Sequence, residues 1–174
     1  ENLGVNLNIT PERSEEVLNQ CGMCFMFAQC YHKSMKYVAK PRKEIGIRNI
    51  FNILGPLTNP ASASMQVMGV FSQDLCEPLA QTLINLGVKK GMVIYGLDGM
   101  DEATVTTKTY CSEIRDGKVY SYYITPEEVG LKTYPMDDLI GGNGKENAEI
   151  TLDILTGKEK GAKRDIVLLN SGIA

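Results

Sequence analysis

The densest group of chemically capable residues is YGLDGMDE at 95–102, which carries Asp98, Asp101 and Glu102. It follows an apolar run that reads as a strand, and ligands of parallel sheets sit beyond the carboxyl ends of the strands. Carboxylate oxygens suit Mg2+, which takes one or two of them together with substrate phosphates. They equally suit a solvated acidic turn, since Gly and Asp are ordinary turn residues. His32 is the single histidine and comes just after the apolar run MCFMFA, at what would be a second carboxyl end. It fits a site or a satisfied structural position. Arg42 and Lys43 follow Pro41 at a helix start. A planar guanidinium there suits a carboxylate or phosphate clamp, or the pair is simply solvated. Cys21, Cys24, Cys30 and His32 give a C-x2-C-x5-C-x-H spacing open to zinc. Cys24, however, lies inside the apolar run, where a free thiol behaves as a small hydrophobe.

The stretch RNIFNILGPLTNP at 48–60 is unusual in another way. After Arg48 it has no charge, yet it holds Gly55, two prolines and three asparagines among Phe, Ile and Leu. Its composition predicts a stiff, apolar, glycine-kinked loop, with a rigid backbone at Gly55-Pro56 and Phe51, Ile53 and Leu54 able to bury beneath it. The Gly55-Pro56 step equally suits ordinary turn chemistry.

The elements that must position these residues follow from periodicity and capping. Thr10-Pro11 opens a helix to about Asn19, with Gly22 ending it. MCFMFA at 23–28 reads as a buried strand. KSMKYVA and PRKEIG read as helical turns. MQVMGVF at 65–71 is a second buried strand. Leu75, Leu79, Leu83 and Leu86 then recur at helical spacing, with Pro78 in the first turn and Gly87 closing. GMVIYG at 91–96 is a third strand, so the order is β-α-β and the sheet is expected to be parallel with helices on its faces. KTYCSEIRDGKVYSYYI at 108–124 is a hairpin turning at Asp116-Gly117. ENAEITLDILTG at 146–157 is a further helix.

Composition sets the outer limits. A chain of 174 residues with 43% hydrophobic and 22% charged content has enough material for a real core. A net charge of −3 and a pI of about 5.3 argue against a nucleic-acid partner. No apolar run reaches the length of a membrane span, and five cysteines without framework spacing suit a cytoplasmic protein. Glu1 is no initiator, and RDIVLLNSGIA stops in apolar sequence, so the chain is expected to be part of something longer.

HKSMKYV (32–38), PRKEIGIRNIFNILGPLTNP (41–60), MGVF (68–71), YGLDGMDE (95–102) and the closing RDIVLLNSG, in this order and spacing, resemble the anthranilate phosphoribosyltransferase family of tryptophan synthesis. The opening LGVNLNITPE is also similar to it. The resemblance implies transfer of 5-phosphoribosyl from phosphoribosyl pyrophosphate to the amine of anthranilate, with Mg2+ required. It implies an α/β catalytic domain of the nucleoside phosphorylase and phosphoribosyltransferase type, a mostly parallel sheet flanked by helices with a hairpin insertion. Residues 1–174 are then a single domain. A helical domain that forms the homodimer, a glycine-rich pyrophosphate loop, a Lys-His-Gly-Asn stretch and a C-terminal end would lie outside it. The piece alone is expected neither to turn over nor to dimerise. By motif match, Asp101 and Glu102 resemble the family's Mg2+-binding acidic pair, and Arg42 its anthranilate-carboxylate contact. His32, Pro56 and Met35 resemble lining of the anthranilate channel. No residue is assigned as a catalytic acid or base. Asn49 stands where the family often has Thr. Two rivals remain: a pyrimidine nucleoside phosphorylase on the same fold, and a nucleic-acid-binding relative, which would need a basic groove.

Overall fold

The computed structural model describes residues 1–32, 37, 44, 46 and 51–174. They fall into two compact units, 1–60 and 61–174.

In the first unit, helix α1 spans Pro11–Cys21. The Thr10 hydroxyl accepts from the Arg13 amide at 3.2 Å, Pro11 takes the first helical position, and the Gly22 amide donates to Leu18 O at 2.8 Å. The helix runs two residues past the expected Asn19. Its buried Ser14 accepts from the Tyr31 hydroxyl at 2.5 Å, which ties α1 to the short helix α2, Ala28–Tyr31.

Two expectations fail here. Residues 23–27 form no strand, and Met23 and Phe25 are 74% and 59% exposed. An apolar run becomes a strand only where a neighbouring strand takes its N–H and C=O groups, and among the described residues of this unit there is no strand to do so. Within RNIFNILGPLTNP, whose first three residues lie outside the described ones, Phe51–Leu57 is not a loop but helical (α3), with Pro56 inside it. Pro56 forgoes one helical hydrogen bond, and the helix stops one residue later. There the Thr58 amide and hydroxyl both donate to Leu54 O, at 3.0 and 2.9 Å. A Cβ on Gly55 would meet no described residue within 4 Å, so no close approach among them requires glycine. Ile53 and Leu54 are half-buried and Pro56 is exposed. The helical turns expected at KSMKYVA and PRKEIG lie mostly outside the described residues.

The second unit is built on a four-stranded sheet in the order β1-β2-β3-β4. Strands β1 (Met65–Gly69) and β2 (Lys90–Gly96) are parallel, in register from Met65 opposite Lys90 to Gly69 opposite Ile94. The hairpin of β3 (Thr109–Arg115) and β4 (Lys118–Ile124) adds antiparallel to β2, so it extends the same sheet and makes it mixed. Its turn places both Asp116 and Gly117 at positive φ, 53° and 70°, as a tight two-residue hairpin requires. Helix α4 (Cys76–Asn85) connects β1 to β2 and packs across β2, β3 and β4. It buries Leu79 and Leu83, with Pro78 in its first turn. Leu86 falls just beyond the last turn and is 58% exposed, so the apolar stripe stops at Leu83.

Helix α5 covers Gly144–Leu155. It starts earlier than expected because Asn143 caps it, exchanging hydrogen bonds with Glu146 in a reciprocal box. Helix α6, Ala162–Ile173, lays Leu169 into a core cluster with Ile94, Ala103, Val105 and Cys111. Val93 and Ile94 are both buried although successive strand residues face opposite ways, so β2 is covered on both sides. No helix among the described residues is long and apolar enough to cross a membrane.

Candidate functional site

The segment between β2 and β3 carries the acidic residues out of the sheet at the carboxyl ends of both parallel strands. It begins as a tight turn, in which the Gly99 amide donates to Gly96 O and the Gly96 amide to Met100 O, each at 2.9 Å. Asp98 closes this turn from within. One carboxylate oxygen accepts from the Met100 amide at 3.0 Å, and the other accepts short hydrogen bonds from the hydroxyls of Thr104 and Thr106. Burial pushes its carboxyl up, but the Thr104, Thr106 and Met100 donors outweigh burial and hold it below the usual carboxylate range. Asp98, grouped with the other two acids by sequence, is therefore committed to its own loop.

Asp101 and Glu102 are exposed. Glu102 is pushed above its ordinary value, first by desolvation and then by the charges of Asp101 and Asp98. Two features fix the backbone beneath the pair. Gly69, at the end of β1, has no room for a side chain: a Cβ there would lie 1.6 Å from the Asp101 carbonyl oxygen. On the other side, the Asn170 amide from α6 pairs with both backbone groups of the fully buried Ala103. The Ala103 amide donates to Asn170 Oδ1 at 2.9 Å, and Asn170 Nδ2 donates to Ala103 O at 2.8 Å.

The sequence reading passed over Thr104, Thr106 and Asn170. The rule that buried polar groups need partners would have drawn attention to the threonines of ATVTT. Nothing local would have singled out Asn170, whose partner is 67 residues away.

Of the other expected site residues, His32 caps α2, half-buried, with its amide donating to Ala28 O at 2.9 Å. It does not follow a strand's carboxyl end, because the preceding segment is not a strand. Pro56 sits in α3, and Met35 and Arg42 lie outside the described residues. His32 and Pro56 thus belong to the 1–60 unit, and Asp101 and Glu102 to the 61–174 unit.

Among the described residues, no three His, Cys, Asp or Glu side chains are grouped to hold a metal, the 21–32 spacing included. Two exposed hard-oxygen donors side by side in the chain are a donor set that fits Mg2+ shared with a phosphorylated ligand. A cavity of about 480 Å³ lies at the opposite edge of the sheet, by the amino ends of β1 and β2, lined by Met65, Lys90, Arg115 and Ile173. None of the acidic loop reaches it.

Comparison with known proteins gives the setting. Residues 1–174 match the family described as "Glycosyl transferase family, a/b domain". The anthranilate phosphoribosyltransferase of Endomicrobium trichonymphae is 55% identical over 99% of this chain and 51% of its own length. The structure of the anthranilate phosphoribosyltransferase of Thermus thermophilus superposes with a TM-score of 0.91 at 43% identity, over 99% of this chain and 50% of that one. That of Saccharomyces cerevisiae, solved in complex with PRPP and Mg, superposes at 0.89 and 25% identity, again over 99% and 50%. The chain spans about half the length of the curated relatives it matches.

Proposed function

The chain belongs to the glycosyl transferase family whose a/b domain it matches throughout, and from that premise we propose that its protein transfers 5-phosphoribosyl from phosphoribosyl pyrophosphate to the amine of anthranilate, releasing pyrophosphate. The observation that carries this reading is the pair Asp101 and Glu102, exposed on a tethered loop at the carboxyl ends of the parallel strands, in a chain 55% identical to a relative bearing that name.

Within this reading, Asp101 and Glu102 hold Mg2+, which when bound stabilises the charge developing on the pyrophosphate leaving group. Arg42 grips the anthranilate carboxylate through its planar fork. His32, Met35 and Pro56 line the anthranilate channel and keep it largely apolar. The aromatic amine is neutral at pH 7 and attacks C1 as pyrophosphate leaves, and the acidic proton then on nitrogen passes to pyrophosphate or solvent without a strong base, so orientation is the larger contribution and His32 is assigned no acid–base role. The complete protein acts as a cytoplasmic homodimer with no nucleic-acid or membrane partner, and the net charge of −3 on these 174 residues supports the absence of a nucleic-acid partner.

The test is a Mg2+ titration of initial rate for Asp101→Asn with Glu102→Gln in the full-length enzyme, with circular dichroism as folding control. A folded variant with lowered activity and a weakened Mg2+ response is expected. Wild-type rates on an unshifted Mg2+ curve would overturn the metal assignment. Phosphorolysis of thymidine or uridine in place of anthranilate transfer would move the protein to the nucleoside phosphorylases.

A further inference from the structure

The geometry points to Asn170 as a positioning residue for the acidic pair, an inference that rests on the Mg2+ reading of Asp101 and Glu102. Ala103 immediately follows Glu102 and is fully buried, so water cannot satisfy its backbone. Its N–H and C=O are both taken by the one side-chain amide of Asn170, at 2.9 and 2.8 Å, much as an adjacent strand would take them. An amide at this reach is the group that suits: it donates and accepts at once, whereas a carboxylate only accepts and an alkyl group does neither. Asn170 is itself held, because Nδ2 also donates to Ile166 O at 3.0 Å and the preceding Leu169 is locked in the core.

The loop therefore has three attachments. Asp98 fixes its turn from inside, Gly69 sets how closely Asp101 lies to β1, and Asn170 fixes the chain where it re-enters the protein after Glu102. Of the two that come from other elements, the last lies farther along the chain, 67 residues away. It converts the docking of α6 into the placement of the backbone that carries the two carboxylates. Such a residue should govern how well a cation and its phosphorylated ligand are held, and leave recognition of the acceptor untouched.

The experiment uses full-length enzyme carrying Asn170→Ala or Asn170→Asp, with calorimetric titration of phosphoribosyl pyrophosphate in the presence and absence of Mg2+, and steady-state kinetics in both substrates. The Mg2+-dependent affinity for phosphoribosyl pyrophosphate is expected to fall roughly tenfold, the scale of one buried hydrogen bond left unmade. The KM for anthranilate should hold, and the binding seen without Mg2+ should not change. Asn170→Asp keeps the shape and loses the donor, so it should fall as far as Asn170→Ala; if the alanine variant does not fold, the aspartate variant decides. Unchanged Mg2+-dependent affinity, or an equal loss for both substrates, overturns the inference. Asp101→Asn with Glu102→Gln is the reference. Should that variant keep wild-type Mg2+-dependent binding, the metal reading itself falls, and this inference with it. Should it lose binding while both Asn170 variants keep it, only the role of Asn170 falls.

Discussion

Asp98 and Glu102 share a loop, yet their surroundings drive them in opposite directions. Burial raises Asp98, but its three donors prevail and its folded value is depressed. Its stabilising contribution is thus present above the unfolded carboxylate range and lost as pH falls through the folded value. Asp98→Ala should lower the melting temperature at pH 7, with about 1 kcal/mol lost for the Thr104 hydroxyl deprived of its acceptor. The gap to the wild type should narrow on acidification, and melting curves between neutral and acid pH check it. Glu102 is raised, so its charged form is the strained one, a state a bound cation would relieve. Arg42 is read by motif alone. If it clamps the carboxylate, Arg42→Ala should cost on the order of 2–5 kcal/mol in anthranilate use, with little change in donor KM. Arg42→Lys should restore only part of this because it lacks the fork. An unaltered anthranilate KM in Arg42→Ala would make it a solvated charge.

Among the elements, what was legible in the sequence was whatever capping and periodicity control locally. Thr10, Pro11 and Gly22 bound α1 as read, Leu79 and Leu83 mark the buried face of α4, and Asp116-Gly117 turns the hairpin. The misreadings share a cause. MCFMFA is apolar enough for a strand, but pairing depends on a neighbour that composition does not reveal. In α3, Gly55 and Pro56 suggested a kinked loop, yet a helix tolerates them at its end. Among the described residues the glycine that needs to lack a side chain is Gly69, unremarked in the sequence, which abuts the Asp101 carbonyl, while a Cβ on Gly55 would meet none of them within 4 Å. Gly69→Ala should destabilise by about 1–3 kcal/mol as overpacking does and shift the Mg2+ response. Gly55→Ala should be neutral or stabilise by about 0.5–1 kcal/mol. Thermal melts of the two single variants, side by side, decide; a tolerated Gly69→Ala would mean that the loop is free to move aside.

At the scale of the whole molecule, charge makes the plainest statement. With 18 basic and 21 acidic residues, phosphate-backbone attraction has little to act on. A titration with duplex DNA at low salt should show no binding, and salt-sensitive binding would favour the nucleic-acid-binding rival. The acidic pair was visible in the sequence as a motif, but its support was not, because the partners of the loop come from β1 and α6 and only the fold brings them near. The sheet has a further consequence, in time. Its spatial order β1-β2-β3-β4 repeats the order of the chain, so each strand can join an edge already made as synthesis proceeds. The β3–β4 hairpin closes on itself within about 1–10 μs once both strands exist. Asn170 emerges only after all four strands, and until α6 docks the backbone of Ala103 has no amide to hold it. The loop that carries Asp101 and Glu102 is consequently made early and secured late, so a nascent chain can pair these four strands before it can hold its acidic pair in place.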